Sequence, residues 1–200
     1  MEALPPESTA HFSAEVWEKL AAYLDRLLLW NQRISLTATR GPKELAQRHI
    51  AESLWGAQFL PAGARTLLDF GSGAGLPGIP MQVARPEIAV TLAESQTKKA
   101  IFLQEVVRVL GQRHTQVYTG RVEAMPSWQC FDVVTLRAVD RMRQILPIAA
   151  GRTSPGGWCV VFTTKAQEQE IRTRAPEMEW RLAAPVPGAA QRIVLVGQRQ

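Results

Sequence analysis

Cysteine is almost missing from this chain of 200 residues. Its two thiols, Cys130 and Cys159, lack C-x-x-C spacing and have no histidine cluster near them, so neither a metal (zinc) site nor a disulfide framework is indicated. A reduced, cytoplasmic protein is the resulting expectation. Long apolar runs are missing too: none reaches the ~18 residues that a membrane span needs. Met1–Ala10 is polar, carries Pro5 and Pro6, and shows neither the basic start nor the apolar stretch of a signal peptide. No internal repeat or low-complexity tract interrupts the chain. Lysine is scarce, with five against 18 arginines in a total of 23 basic residues. The net charge of +5 is by itself a weak pointer to an acidic partner. An arginine excess can simply reflect genome composition, but arginine also forks onto phosphate and stacks on bases.

The residues that are present change character near position 60. Before it, Phe12, Val16, Leu20, Leu24, Leu27 and Leu28 recur at helical spacing and predict an amphipathic helix over residues 10–32, opened by Ser13 with Glu15 and Glu18 behind it. A loop at Ala38–Pro42 leads to a second helix over Lys43–Leu60, with Pro42 at its opening position. Arg33, Arg40, Lys43 and Arg48 lend this part a basic face, which solvation alone would explain. From residue 65 strands and helices alternate. Strands are predicted over Arg65–Phe70, Ile88–Glu94, Thr115–Thr119, Phe131–Arg137, Trp158–Thr163, Met178–Ala184 and Arg192–Gly197. Helices are predicted over Gly78–Ala84, Gln96–Leu110, Ala138–Gly151 and Gln167–Arg174. Such alternation implies right-handed βαβ crossovers and a mainly parallel sheet. The last two strands are joined by Pro185–Ala190 without a helix and read as an antiparallel hairpin at the sheet edge.

The most telling stretch is Leu67–Gly78, where a short apolar run ends in Asp69 and glycine then falls at every second position, Gly71, Gly73 and Gly75. Strand, glycine turn, helix is the physical reading. Glycine permits positive φ and lets a ligand approach bare backbone, and the next helix starts with free N–H groups. Pro77 and Pro80 flank that helix start and Arg85-Pro86 ends it. Gly73, Gly75 and Gly78 also satisfy G-x-G-x-x-G, a weak signal for a dinucleotide when taken alone. Asp69 argues the other way: a carboxylate at the strand end opposes a pyrophosphate and suits the cationic groups of S-adenosylmethionine (SAM). Glu94 ends the next strand, with Ser95 after it, where an acid can accept ribose hydroxyls of either cofactor. The expected fold class is therefore α/β, the Rossmann-like SAM-dependent methyltransferase fold. It comprises a seven-stranded, mostly parallel sheet with helices on both faces, forming a single structural unit over 61–200, and an N-terminal helical extension over 1–60.

Past the third strand, Arg121, Val122 and Glu123 stand where such enzymes place adenine, with Val122 and Glu123 as backbone donors; Arg121 and Glu123 read equally well as surface charges. Arg137 ends the fourth strand, on the edge that faces substrate in this architecture. The Asn/Asp-Pro-Pro-Tyr/Phe motif that holds an exocyclic amine is absent there. Carbon methylation of a pyrimidine needs a cysteine nucleophile, and Cys130 precedes a strand while Cys159 lies inside one. No histidine stands near these turns. Guanine N7, in contrast, has an accessible lone pair and no proton, so its methylation needs alignment only, without a general base or a covalent enzyme intermediate. Arg137 is suited to hold guanine O6 or a phosphate, and Lys165, at the end of the fifth strand, to hold a phosphate on the same rim.

Leu36-Thr37, Arg48-His49-Ile50, Glu52-Ser53-Leu54, the turn Asp69–Pro80, Glu94-Ser95, Lys98–Leu103, Arg121-Val122-Glu123 and Arg137-Ala138 together resemble the bacterial small-subunit ribosomal RNA guanine-N7 methyltransferases, also called glucose-inhibited division protein B. The resemblance spans about residues 25–197, and Gly75–Pro80 is its most specific part. It implies methyl transfer from SAM to N7 of guanine 527 of 16S rRNA, as naked RNA or within the small subunit. It further implies S-adenosylhomocysteine as the other product. A cytoplasmic monomer without metal or membrane contact is the expectation, although the sequence does not give the oligomeric state. Gly71, Leu76, Val122, Glu123 and Arg137 fall on the family's SAM-contacting positions, and Glu94 on its ribose-binding acid. Arg121, Arg137 and Arg192 match arginines associated with activity or RNA contact. Ala74 stands where the family usually has proline, Ser35 where it has asparagine, and Ala166 where a glycine usually follows Lys165; the last weakens a role for Lys165. Two other readings compete: a nicotinamide-dependent oxidoreductase, resting on the glycine spacing, and an RNA-binding module that transfers no methyl group.

Overall fold

The computed structural model describes residues 12–137 and 142–200. Helix α1, Ala14–Asn31, is capped by Ser13, whose hydroxyl accepts the Val16 N–H at 3.4 Å. Its inward stripe is Leu20, Tyr23 and Leu27. The continuous helix expected over Lys43–Leu60 is instead three pieces: a single turn α2, Pro42–Glu44, a π-helical segment Leu45–Ile50, and α3, Ala51–Ala57. A π-helical segment widens the turn and shifts the helical phase of the residues after it, and such segments gather at functional sites.

Seven strands form one sheet: β1 Thr66–Phe70, β2 Ala89–Glu94, β3 Thr115–Thr119, β4 Phe131–Arg137, β5 Thr153–Thr164, β6 Met178–Pro185 and β7 Arg192–Arg199. Their order is β3-β2-β1-β4-β5-β7-β6. Strands β1 to β5 pair in parallel, and β7 is antiparallel to both of its neighbours, so the expected edge hairpin is present. The helices are α4 Gly78–Ala84, α5 Thr97–Val109, α6 Met142–Arg152 and α7 Glu168–Arg174. Strand β5 starts five residues before the expected Trp158. Thr153 pairs with Phe131 and Trp158 with Val133, so Ser154–Gly157 bulge out, with Gly156 at φ +74°. Ser-Pro-Gly-Gly reads locally as a turn because its backbone leaves the ladder there. The helix predicted from Ala138 is described from Met142; residues 138–141, and the polar start Met1–Ala10 with His11, lie outside the described residues.

Alternate residues of each strand face opposite sides. Leu67, Val133, Val160 and Val194 pack with α1, α3, α4 and α5, while Leu68, Val134, Val161 and Leu195 pack with α6 and α7. Helix α3 lies very close to the sheet: a Cβ on Gly56 would stand 2.2 Å from the Phe162 ring, so only glycine fits. No helix among the described residues is long and apolar enough to cross a membrane. The chain leaves β1 toward β2 and β3, then returns on β1's other flank as β4. That reversal opens a crevice at the carboxyl ends of β1 and β4, the switch point at which open α/β sheets bind ligands.

Candidate active site

The glycine turn sits in that crevice and is pinned from three directions. Gly71, Gly73 and Gly75 have φ of 71°, 54° and 87°, a left-handed backbone that costs other residues about 1–2 kcal/mol each. From β2, the Ala93 carbonyl accepts the Ser72 N–H at 2.9 Å and Glu94 Oε2 accepts the Gly73 N–H at 2.9 Å. From β1, Asp69 Oδ2 accepts the Gly78 N–H at 3.2 Å at the start of α4, while its Oδ1 accepts the Thr135 hydroxyl at 2.9 Å. From α1, the buried Tyr23 hydroxyl donates to the Ala74 carbonyl at 2.7 Å. Replacing Tyr23 by phenylalanine strands that buried carbonyl. The expected loss is about 1–3 kcal/mol of stability together with weaker cofactor affinity, read by urea denaturation and by titration calorimetry with SAM.

Asp69 is only 1% exposed and lies behind the turn rather than in the cavity wall. Both its oxygens are engaged by protein donors, so it braces the turn, and the charge expected to face a cofactor is directed inward. Burial pushes its carboxyl up to about 6 against hydrogen bonds from Thr135, Ser72 and Gly78 that lower it. A carboxyl raised in the fold contributes stability below its ordinary value near 3.8, and that contribution is lost as pH rises through about 6. His49 opposes it. Burial first, then Arg137, Arg48 and Arg192, depress its imidazole from 6.5 to about 4. Its contribution is therefore present above pH 6.5 and lost as pH falls toward 4. In Asp69→Asn the Thr135 hydroxyl can turn to accept the new amide. The stability of this variant relative to the native chain is expected to rise between pH 4 and 7, measured by urea midpoints across that range. A pH-independent difference would remove Asp69 as the cause.

The cavity in front of the turn holds about 740 Å³, within the range of small-molecule sites. Gly71 and Gly73 form one wall together with Leu76; Glu94 and Ser95 form the next, and Arg121, Val122 and Glu123 a third. Gly75 lies outside the wall; its Cβ position faces Ile79 and Leu103. Glu94 is buried; besides holding Gly73, its Oε1 accepts the Gln96 N–H at 2.7 Å. Val122 opens the short 3-10 helix Val122–Ala124, where the first N–H groups have no partner within the helix. Behind it the buried Arg152 donates to the carbonyls of Val122 (3.1 Å) and Met125 (2.7 Å), stapling this loop to α6. Arg121 is exposed at the rim.

Arg137 is also at the wall, but its terminal donors point into the protein. One terminal nitrogen donates to the His49 carbonyl and the Ser53 hydroxyl, both at 3.1 Å; the other donates to Glu52 Oε2 at 2.6 Å and His49 Nδ1 at 2.8 Å. The guanidinium lies over the Phe162 ring, 5.6 Å from its centroid, and the side chain is 9% exposed. A guanidinium only donates, so His49 Nδ1 accepts. The proton of the neutral ring is then on Nε2, which donates to the Thr39 hydroxyl at 3.0 Å. Asn31 completes this side: its oxygen accepts the N–H groups of Leu36 and Thr37, both at 3.0 Å, and its amide donates to the Thr39 carbonyl at 3.1 Å. The Leu36–Ala38 segment thereby becomes a further cavity wall.

The remaining candidates gather beside Arg137. Arg192, at the start of β7, donates to Glu52 Oε2 at 2.7 Å. Lys165 is exposed next to it, its N–H held by the Gln191 carbonyl at 2.9 Å. Arg48 points outward and pairs with Glu44 at 3.1 Å. Sequence reasoning misses the roles of His49, Glu52 and Ser53, which enter it only through the resemblance. A glutamate in the helical run Ile50-Ala51-Glu52-Ser53-Leu54-Trp55, apolar apart from Glu52 and Ser53, is the available signal, since a buried carboxylate must be paired.

The family model described as rRNA small subunit methyltransferase G matches residues 16–188. A ribosomal RNA small subunit methyltransferase G from Xanthomonas campestris pv. campestris (strain B100) is 37% identical over 178 residues, covering 84% of this chain and 83% of that one. The protein of the same name from Xylella fastidiosa (strain M23) is 34% identical over 98% of both chains. Among solved structures, the mitomycin 7-O-methyltransferase MmcR superposes with a TM-score of 0.66 at 18% identity, over 93% of this chain and 68% of its own. P. horikoshii TYW2 in complex with MeSAdo superposes with a TM-score of 0.63 at 15% identity, over 76% and 62%. At such identities the structures speak for a methyltransferase fold alone.

Proposed function

Because this chain belongs to the rRNA small subunit methyltransferase G family, we propose that it transfers the methyl group of SAM to N7 of guanine 527 of 16S rRNA, releasing S-adenosylhomocysteine. The observation that carries this reading is a cofactor-sized cavity at the switch point, walled by the glycine turn and Glu94, beside a cluster of arginines. The fit to SAM rests on three features. Beyond its two chain neighbours nothing lies within 4 Å of where a Gly71 Cβ would sit, which leaves room against bare backbone. The Glu94 carboxylate faces the cavity at a strand end, suited to ribose hydroxyls, with Ser95 beside it. The first N–H groups of the Val122–Ala124 turn are suited to hydrogen-bond an adenine edge. Gly73 and Leu76 complete the bed. P. horikoshii TYW2, of like fold, was solved with MeSAdo, which agrees with a cofactor of this type. When bound, SAM supplies an electrophilic methyl group.

The protein's own task is alignment. His49 has both ring nitrogens engaged, Cys159 is buried with its thiol pushed up to about 12, and Cys130 precedes β4, at the opposite end of that strand from the cavity. These placements suit an acceptor such as guanine N7 that needs no proton removed and no covalent attack by the enzyme. Arg121 and Arg192 are suited to hold RNA phosphate or guanine O6, and Arg48 and Lys165 to reach phosphate further out. Arg137 supports that rim from within.

The test is methyl transfer from labelled SAM to small ribosomal subunits that lack their own N7 mark, mapped by strand cleavage at 7-methylguanine. A single labelled guanine at 527 is expected. Label at another nucleotide, or on a base atom other than N7, would overturn the assignment.

A further inference from the structure

We infer that Glu52 is a positioning residue that aims Arg192 at the RNA, an inference that rests on the rRNA methyltransferase reading above. One oxygen of Glu52, Oε2, accepts from both Arg137 (2.6 Å) and Arg192 (2.7 Å), and the carboxylate side chain is 4% exposed. The two arginines differ in the donors they have left. Arg137 spends both terminal nitrogens on His49, Ser53 and Glu52. The Arg192 side chain makes one hydrogen bond among the described residues, the one to Glu52, and is 27% exposed. Four of its five N–H donors therefore remain for a ligand.

Arg192 pairs with Thr164 at the carboxyl end of β5, on the same sheet edge as the cavity. A free arginine has several rotatable bonds to immobilise on binding. The carboxylate, on a helix whose Gly56 leaves no room for a Cβ beside Phe162, holds that guanidinium before RNA arrives. Arg137 donates to the same oxygen and holds the Glu52 side chain in place. The fork of Arg192 is thus presented with its outer edge free, the arrangement suited to a phosphate oxygen or to guanine O6.

A carboxylate needed only to neutralise Arg137 would look alike in a static structure, so the test must separate the two. Steady-state methyl transfer to small subunits is measured for the native chain, Glu52→Gln, Glu52→Asp, Arg192→Ala and the double variant Glu52→Gln/Arg192→Ala, with SAM affinity by calorimetry as the folding control. Glu52→Gln is expected to raise KM for the subunit about tenfold, the scale of one charge-assisted hydrogen bond, with SAM affinity unchanged. In the Arg192→Ala background the same substitution is expected to raise KM for the subunit no further, any loss of stability at the Arg137 pair being common to both backgrounds. Glu52→Asp keeps the charge but withdraws it by one methylene, so it retains the fold and raises KM as well. Equal effects of Glu52→Gln in both backgrounds, or a Glu52→Asp variant with native KM, would overturn the inference while leaving the function intact. No transfer by the native chain would overturn the function reading and this inference with it.

Discussion

Valine at position 71 is expected to abolish cofactor binding while leaving the chain folded. Gly71 belongs to the cavity wall, and beyond its two chain neighbours no atom stands within 4 Å of its missing Cβ. The added Cβ therefore points into the space left beside the turn for a ligand. Its φ of +71° is strained for valine and costs about 1–2 kcal/mol, which a domain stable by roughly 5–15 kcal/mol tolerates. Overpacking against a ligand costs about 1–3 kcal/mol and loss of backbone contact adds to it, so SAM affinity should fall by about two orders of magnitude or more. Calorimetric titration with SAM, beside a urea curve for the fold, checks both halves. Native affinity in a folded variant would move the cofactor away from this turn.

Replacing Arg137 by alanine should have the largest effect on stability. The side chain is nearly buried, stacked on Phe162 and bonded to Glu52, His49 and Ser53. Breaking a buried ion pair from one side costs about 3–5 kcal/mol, because the partner's charge stays behind. Glu52 retains Arg192, which softens the loss toward the lower end. The site is affected as well. The His49 Nδ1 lone pair loses its donor, and with it the tie from β4 through His49 to Thr39 and the Leu36–Ala38 wall. Methyl transfer is expected to fall with stability, and Arg137→Met, which keeps the stem without the charge, should recover only the packing part. A urea midpoint and turnover unchanged from the native chain would remove this network from the site.

The second outcome bears on what kind of residue Arg137 is. Its position at a strand end marks it for the site, and the cavity does reach it. The sequence assigns it guanine O6 or phosphate to hold. In the structure its terminal donors serve the helical segment 45–57, while Arg192, from the last strand, has donors to spare. The same division separates two acids. Asp69 and Glu94 both end strands of the parallel sheet, yet Asp69 turns behind the glycine turn and Glu94 turns toward the cavity.

The succession of strands along the chain, the glycine turn, the reversed last strand and the family are all legible in the residues themselves. Their causes are local: alternation has a period of two residues, helices a period near 3.6, and positive φ calls for glycine within a few positions. Which polar groups face inward is a matter of tertiary structure. Tyr23 meets Ala74 across 51 positions and Arg192 meets Glu52 across 140, distances at which no periodicity carries information. Helical phase fails for Glu52 in particular, because the π-helical segment Leu45–Ile50 rotates α3 relative to the continuation of a regular helix. A charged residue in sequence reads as solvated surface; it becomes a buried hub only when chain closure brings two guanidinium groups onto one oxygen, and that is a property of the assembled sheet and its N-terminal helices.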